Sequence, residues 1–199
     1  MTDTNETDNG GGLRPAMRLL VLGASGTGTS TLARGLASVL ATQSFDTDDF
    51  FWVPTDPPYR KVRPVADRLR LVEEMFLPRR DWILSGSAMG WSMPVVARLT
   101  HVVFLTLDPV IRQERLKQRE LQRYGNAMPQ SGEIAEQYKA FLEWAAGYDD
   151  PEFSGRNIQK HREWLATLDV PVLELDTVVA PQDLIGAAID GLDLAAGHA

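Results

Sequence analysis

The segment Gly23-Ala24-Ser25-Gly26-Thr27-Gly28-Thr29-Ser30-Thr31 constrains this chain more than any other, because of what flanks it. The apolar run Leu19-Leu20-Val21-Leu22 precedes it, and Leu32, Leu36, Val39 and Leu40 follow at helical spacing. A strand, a glycine turn and a helix in that order make the opening unit of a parallel sheet covered by helices. Gly23, Gly28 and Ser30 fill three of the fixed places of the spacing G-x-x-x-x-G-K-[ST], and Thr29 stands where the lysine would be. Glycines let successive N–H groups turn inward, and the helix N-terminus adds partial positive charge, so such a loop cradles phosphate. Contacts to a nucleotide are therefore expected from Gly23, Ser25, Gly26, Thr27, Gly28, Thr29, Ser30 and Thr31, with the Ser30 hydroxyl offered to Mg²⁺. The plain alternative is a glycine-rich turn that holds nothing.

Further apolar runs at Trp82-Ile83-Leu84, Val102-Val103-Phe104-Leu105 and Val170-Pro171-Val172-Leu173, with a shorter one at Ser44-Phe45, supply the other strands. Uninterrupted runs suit strands buried on both faces. Helical stripes lie between and after them: Val65, Leu69, Val72 and Phe76; Ile134, Tyr138, Phe141, Leu142 and Ala145; Leu184, Ile185, Ala188 and Leu192. The reading is a three-layer α/β/α fold with about five strands. At 199 residues one domain is expected, spanning 17–199 after an acidic, glycine-rich tail over 1–16 that is too polar to pack. With no cysteine, disulfide frameworks and thiolate metal clusters are excluded. A net charge of -7 argues against a nucleic-acid surface. No run approaches the roughly 20 apolar residues of a membrane span. A cytoplasmic protein is expected, as a monomer, with a dimer the alternative.

Asp46-Thr47-Asp48-Asp49 follows the second strand, at the carboxyl end of the sheet where ligands of open α/β folds sit. Phosphoryl transfer needs one acid near the metal and another to accept the acceptor's proton, and this cluster offers both. Arg112, Arg115, Arg119 and Arg123 recur at helical spacing, placing four guanidinium groups on one face suited to an anion. The bland reading of that face is a solvated helix laced with ion pairs. Tyr124 to Pro129 then reads as a lid loop. Arg60, Lys61 and Arg63 form a second basic cluster, able to grip an anionic acceptor or to supply the missing cation, or merely to solvate a turn. The third strand ends at Ser85-Gly86-Ser87 with no acid. A short-chain dehydrogenase would share the Gly-Ala-Ser-Gly opening, but needs a glycine at Thr29 and a Tyr-x-x-x-Lys pair, which this chain lacks.

Together these segments resemble the small-metabolite and nucleotide kinases of the phosphate-loop superfamily, chiefly the shikimate and gluconate kinase group and the adenylate kinase-like proteins. The likeness extends from Met17 to about Asp176. It implies strand order 2-3-1-4-5, a helical lid over roughly 112–155, and ATP with Mg²⁺ as cofactors. Asp46 would help Ser30 hold the metal. Arg115 and Arg119 match the lid's Arg-x-x-x-Arg, with Arg123 beyond them. Asp48 matches the general base of the Asp-Asp-Phe-Phe segment in nucleoside-type kinases. The acceptor, a small-molecule hydroxyl or phosphate, would meet Asp49, Arg60, Lys61, Arg63 and Ser87. Because Thr29 departs from the pattern, a nucleotide-binding switch with vestigial turnover is the second functional reading.

Overall fold

The computed structural model describes residues 15–56, 58–124 and 131–194, without the side chains of Arg123 and Tyr124. Five strands form the main sheet: β1 (Arg18–Gly23), β2 (Ser44–Asp46), β5 (Trp82–Ser85), β6 (His101–Thr106) and β7 (Val172–Asp176). All pair in parallel, in spatial order β2-β5-β1-β6-β7. Counted within the sheet this is the expected 2-3-1-4-5. Two-residue strands β3 (Trp52–Val53) and β4 (Lys61–Val62) make a separate antiparallel hairpin beside it.

Alternation along β1 divides the core in two. Leu19 and Val21 face one side, packing with Leu32 and Leu36 of α1 (Thr29–Val39) and Leu184 and Ala188 of α8 (Pro181–Gly191). Leu20 and Leu22 face the other. There they meet Phe50 of α2 (Thr47–Phe51), Val72 of α3 (Val65–Met75), Val95 of α4 (Met93–Val96) and Leu165 of α7 (Ile158–Leu165). The two clusters are the outer layers' contacts with the sheet, so the architecture is α/β/α. Helices α5 (Pro109–Tyr124) and α6 (Glu133–Ala146) pack against each other.

Three details depart from the sequence reading. Val39 and Val65 are 59% and 48% exposed, because each sits at the end of its helix, beyond the stripe that meets the sheet. The last strand begins at Val172 and alternates exposed with half-buried residues. It is an edge strand covered on one face by α8, whereas Glu174 points outward to an ion pair with Arg162 at 2.6 Å. Finally, the segment after Phe51 is paired as the β3–β4 hairpin. Residues 1–14 of the expected tail and 125–130 of the expected lid loop lie outside the described residues. No helix among the described residues is long and apolar enough to cross a membrane.

Candidate active site

Hydrogen bonds lock the strand-to-helix loop into its curl. Gly26 and Gly28 adopt φ of 92° and 93°, left-handed values that glycine takes at no steric cost. A Cβ on Gly23 would stand 2.6 Å from the Leu105 carbonyl oxygen, so the loop's close approach to β6 also requires glycine. The buried Thr27 hydroxyl donates to the Ala24 carbonyl at 2.9 Å, so it serves the loop itself. Gly28 is the N-cap of α1 and brings no side-chain oxygen to the helix amides.

Three oxygens converge at the start of α1. Ser30 Oγ donates to Asp46 Oδ2 at 2.6 Å, and Ser85 Oγ donates to the same oxygen at 2.8 Å. The other carboxylate oxygen, Oδ1, accepts the Asp48 N–H at 3.0 Å and caps α2. One aspartate thus ties the ends of β2 and β5 to the first turn of α1. This all-oxygen donor set fits Mg²⁺, which takes one or two protein oxygens and completes its shell with water and substrate phosphate. No cluster of three or more His, Cys, Asp or Glu suited to a metal occurs among the described residues. Magnesium would therefore rely on phosphate oxygens for the rest.

Asp48 and Asp49 project from α2 into a large cavity of about 1330 Å³ that also reaches Gly23 to Thr31. Both carboxyls are exposed to the cavity yet flanked by protein, and both are pushed above the usual carboxylate range. Desolvation is the main cause, Asp46 adds to it in each case, and Asp49 raises Asp48 further. Arg156 and Arg119 pull Asp48 partly back.

The arginine row divides by depth. Arg112 is 1% exposed and pairs with Asp149, while its Nη1 donates to the carbonyls of Ala145 at 3.0 Å and Ser25 at 3.3 Å. It is therefore a buried tie between the glycine loop and the end of α6, unavailable to a nucleotide. Arg115 and Arg119 border the cavity. Arg115 donates to the Thr177 carbonyl at 2.8 Å, and Arg119 donates to Glu120 at 3.2 Å. The side chain of Arg123 lies outside the described residues. In the hairpin, Arg63 donates to the carbonyls of Phe50 and Trp52, Arg60 pairs with Glu133, and Lys61 is exposed. That segment meets the cavity through Pro58, Tyr59 and Val62 instead, while Ser87 borders it from the end of β5.

Comparison with known proteins adds a relationship. No family model matches the chain. It is 38% identical over 172 residues to the uncharacterized protein YqaC of Bacillus subtilis (strain 168), covering 86% of this chain and 95% of that protein. The chain belongs to the YqaC family. Among solved structures, this YqaC-family chain shares its fold with a gluconokinase from Sinorhizobium meliloti 1021 (TM-score 0.52, 19% identity, 91% and 94% of the two chains). A sugar kinase from Janibacter sp. HTCC2649 (TM-score 0.51, 20% identity, 93% and 99%) has it too. So does shikimate kinase from Acinetobacter baumannii in complex with shikimate (TM-score 0.53, 12% identity, 92% and 96%).

Sequence reasoning missed Arg156 in this YqaC-family chain. Its guanidinium borders the cavity, lies 5.1 Å from the centre of the Trp144 ring, and makes no ion pair or hydrogen bond among the described residues. Burial pushes it below the usual arginine range, against the pull of Tyr148 and Asp48. Its loop is firmly built. Asn157, 0% exposed, donates to the carbonyls of Pro151 and Phe153, and Lys160 Nζ gathers those of Phe153, Ser154 and Gly155 at 2.7 to 3.0 Å. The one signal available beforehand was a lone arginine between Gly155 and a helix-capping asparagine. The aromatic cavity wall on α6 was misleading for another reason. Ile134, Tyr138 and Phe141 have the period of a core stripe, yet they line the cavity.

Proposed function

We propose that the chain is an ATP- and Mg²⁺-dependent phosphotransferase acting on a small-molecule acceptor, with the hydroxyl of an alcohol as the group that receives the phosphoryl. The observation that carries this reading is the joining of Ser30 and Asp46 at the loop, with Asp48 and Arg156 facing the same cavity. The backbone amides of Gly23 to Thr31 would cradle the phosphates of ATP, and Arg115 and Arg119 would border them. Ser30 and Asp46 would hold Mg²⁺, which would supply charge neutralisation to the phosphates of ATP. Asp48 accepts the proton as the acceptor oxygen bonds to the γ-phosphorus. The bond from that phosphorus to the bridging oxygen breaks, and ADP leaves. The raised affinity of Asp48 for a proton strengthens it as a base for that step.

Thr29 leaves no cation within the loop, and Arg156 lies on the cavity wall with no carboxylate in ion-pair contact among the described residues. A largely desolvated cation that makes no direct ion pair is stabilised when an anion arrives. We therefore assign Arg156 the charge that lysine supplies in lysine-bearing loops. The supporting layout is a single domain from residue 17, with segment 112–155 as its lid. The absent loop lysine also favours a nucleotide-binding switch with vestigial turnover as a second reading. Calorimetry with ATP and Mg²⁺, followed by acceptor-dependent ADP release, separates the two. Arg156→Ala should lower turnover about a hundredfold, the usual loss for one preorganised charge contact. Thr29→Lys in that background should restore part of it. Failure to bind nucleotide would sink both readings, and an Arg156→Ala variant of unchanged rate would remove Arg156 from the mechanism.

A further inference from the structure

Resting on the phosphotransferase reading, we infer that the acceptor is an uncharged alcohol carrying a flat, aromatic or heteroaromatic ring, and not a phosphate ester or a sugar acid. The charges around the acceptor half of the cavity carry this. Asp48 and Asp49 both face it. The three bases of the nearby hairpin do not line the cavity: Arg63 donates to the carbonyls of Phe50 and Trp52, Arg60 pairs through Nη1 with Glu133, and Lys61 faces solvent. Of the cations that act on Asp48, Arg156 is assigned to the phosphoryl group in flight and Arg119 to the phosphates of ATP. A carboxylate or phosphate on the acceptor would meet two acids with no counter-charge of its own, and like charges brought together in a site are strongly disfavoured.

The walls are flat and apolar instead. Trp52 and Tyr59 stand edge to face at 5.9 Å, and Tyr59 is held at φ 64°, a left-handed conformation uncommon outside glycine. Trp91 faces the same space, its indole N–H fixed on the Ser87 carbonyl at 3.2 Å. Rings of this kind favour a planar partner.

One neutral polar group points in among them. Ser87 Oγ lies 3.4 Å from His161 Nε2, and His161 Nδ1 lies 2.8 Å from the buried Tyr148 hydroxyl. A phenol is the stronger donor of that second pair, so Nδ1 accepts, Nε2–H donates to Ser87, and the Ser87 proton is left for the ligand. Ser87 thus offers one neutral hydrogen bond to an oxygen or ring nitrogen of the acceptor.

The test is tryptophan fluorescence of the full chain, saturated with Mg²⁺ and a non-hydrolysable ATP analogue. The titrants are two matched pairs, uridine with its 5′-monophosphate and pyridoxine with its 5′-phosphate, together with shikimate and gluconate. At least one neutral ring alcohol should bind, at least about tenfold tighter than its phosphate ester. Asp49→Asn should narrow that gap by weakening the repulsion of the ester. Equal or tighter binding of an ester or of either acid overturns the inference, as does failure of both neutral alcohols, while analogue binding leaves the phosphotransferase reading standing. Loss of analogue binding itself overturns both.

Discussion

Protonation linked to His161 should destabilise this protein in mild acid. The imidazole is 0% exposed, fixed between Ser87 and Tyr148, and edge-on to Phe104 at 6.1 Å. Burial, and then the Arg156 charge, push its pKa from 6.5 down to about 4. The folded state therefore prefers the neutral ring. Its contribution is complete above the unfolded value of 6.5 and shrinks as pH falls toward 4, because the unfolded chain binds the proton first. A full shift of that size corresponds to about 3 kcal/mol, of which about 2.5 kcal/mol is lost between pH 7.5 and 4.5. For a chain of this length that is a fall in Tm of roughly 5 to 10 °C. The assay is thermal and urea unfolding of the native chain and of His161→Gln at both pH values. Gln keeps hydrogen-bonding atoms and cannot titrate, so carboxylate effects common to both proteins cancel in the comparison. The native chain should lose about 2.5 kcal/mol more than the variant. Parallel losses would refute the argument, since they would mean that the buried ring takes up its proton without cost.

Two further substitutions probe the frame of the site. Asp149→Ala leaves the buried Arg112 guanidinium without its carboxylate, and Asp149 is itself partly exposed, so a loss of about 3 kcal/mol is expected, the lower end for a broken buried pair. Thermal melts should show that loss together with weaker nucleotide binding, because Arg112 also holds the Ser25 carbonyl of the glycine loop; unchanged melting would show that main-chain carbonyls suffice for Arg112. Gly86→Ala puts a Cβ 1.9 Å from Thr47 Oγ1, whereas Gly90→Ala, also at positive φ, meets nothing within 4 Å. Both should cost about 1 kcal/mol in backbone strain, and Gly86→Ala clearly more, with lost activity as Thr47 shifts between Asp46 and Asp48; equal melting temperatures would show that Thr47 yields freely.

The sheet was legible because β1, β5 and β6 are apolar runs joined to helical stripes, and a glycine loop between strand and helix admits few topologies. Where reading failed, the local pattern was compatible with two environments. The α6 stripe of Ile134, Tyr138 and Phe141 has one period whether it faces a core or a ligand cavity. The arginines of α5 share a face by spacing, yet depth along that face makes Arg112 a buried clamp and leaves Arg119 at the cavity. Spacing fixes direction and says nothing of what stands opposite. The two-residue strands β3 and β4 are too short to carry any alternation.

Lysine usage connects these observations. No lysine lies in the glycine loop, but Lys160 collects three successive carbonyls and so fixes the turn that ends at Arg156. Arg63, Arg68, Arg98, Arg112 and Arg115 likewise spend N–H groups on main-chain carbonyls. A guanidinium so engaged orders the backbone but has less to offer a phosphate, since its donors are fixed in direction. Counting bases near a site therefore overstates its capacity for anions. What counts is a guanidinium that the protein has partly desolvated and left without a carboxylate, and on this cavity wall Arg156 meets that condition among the described residues. Lys160→Met tests the linkage: with Arg156 intact but its turn released, turnover should fall while nucleotide affinity changes little, because the loop amides are untouched. Equal losses in both would mean that the turn supports the fold as a whole and has no particular part in aiming Arg156.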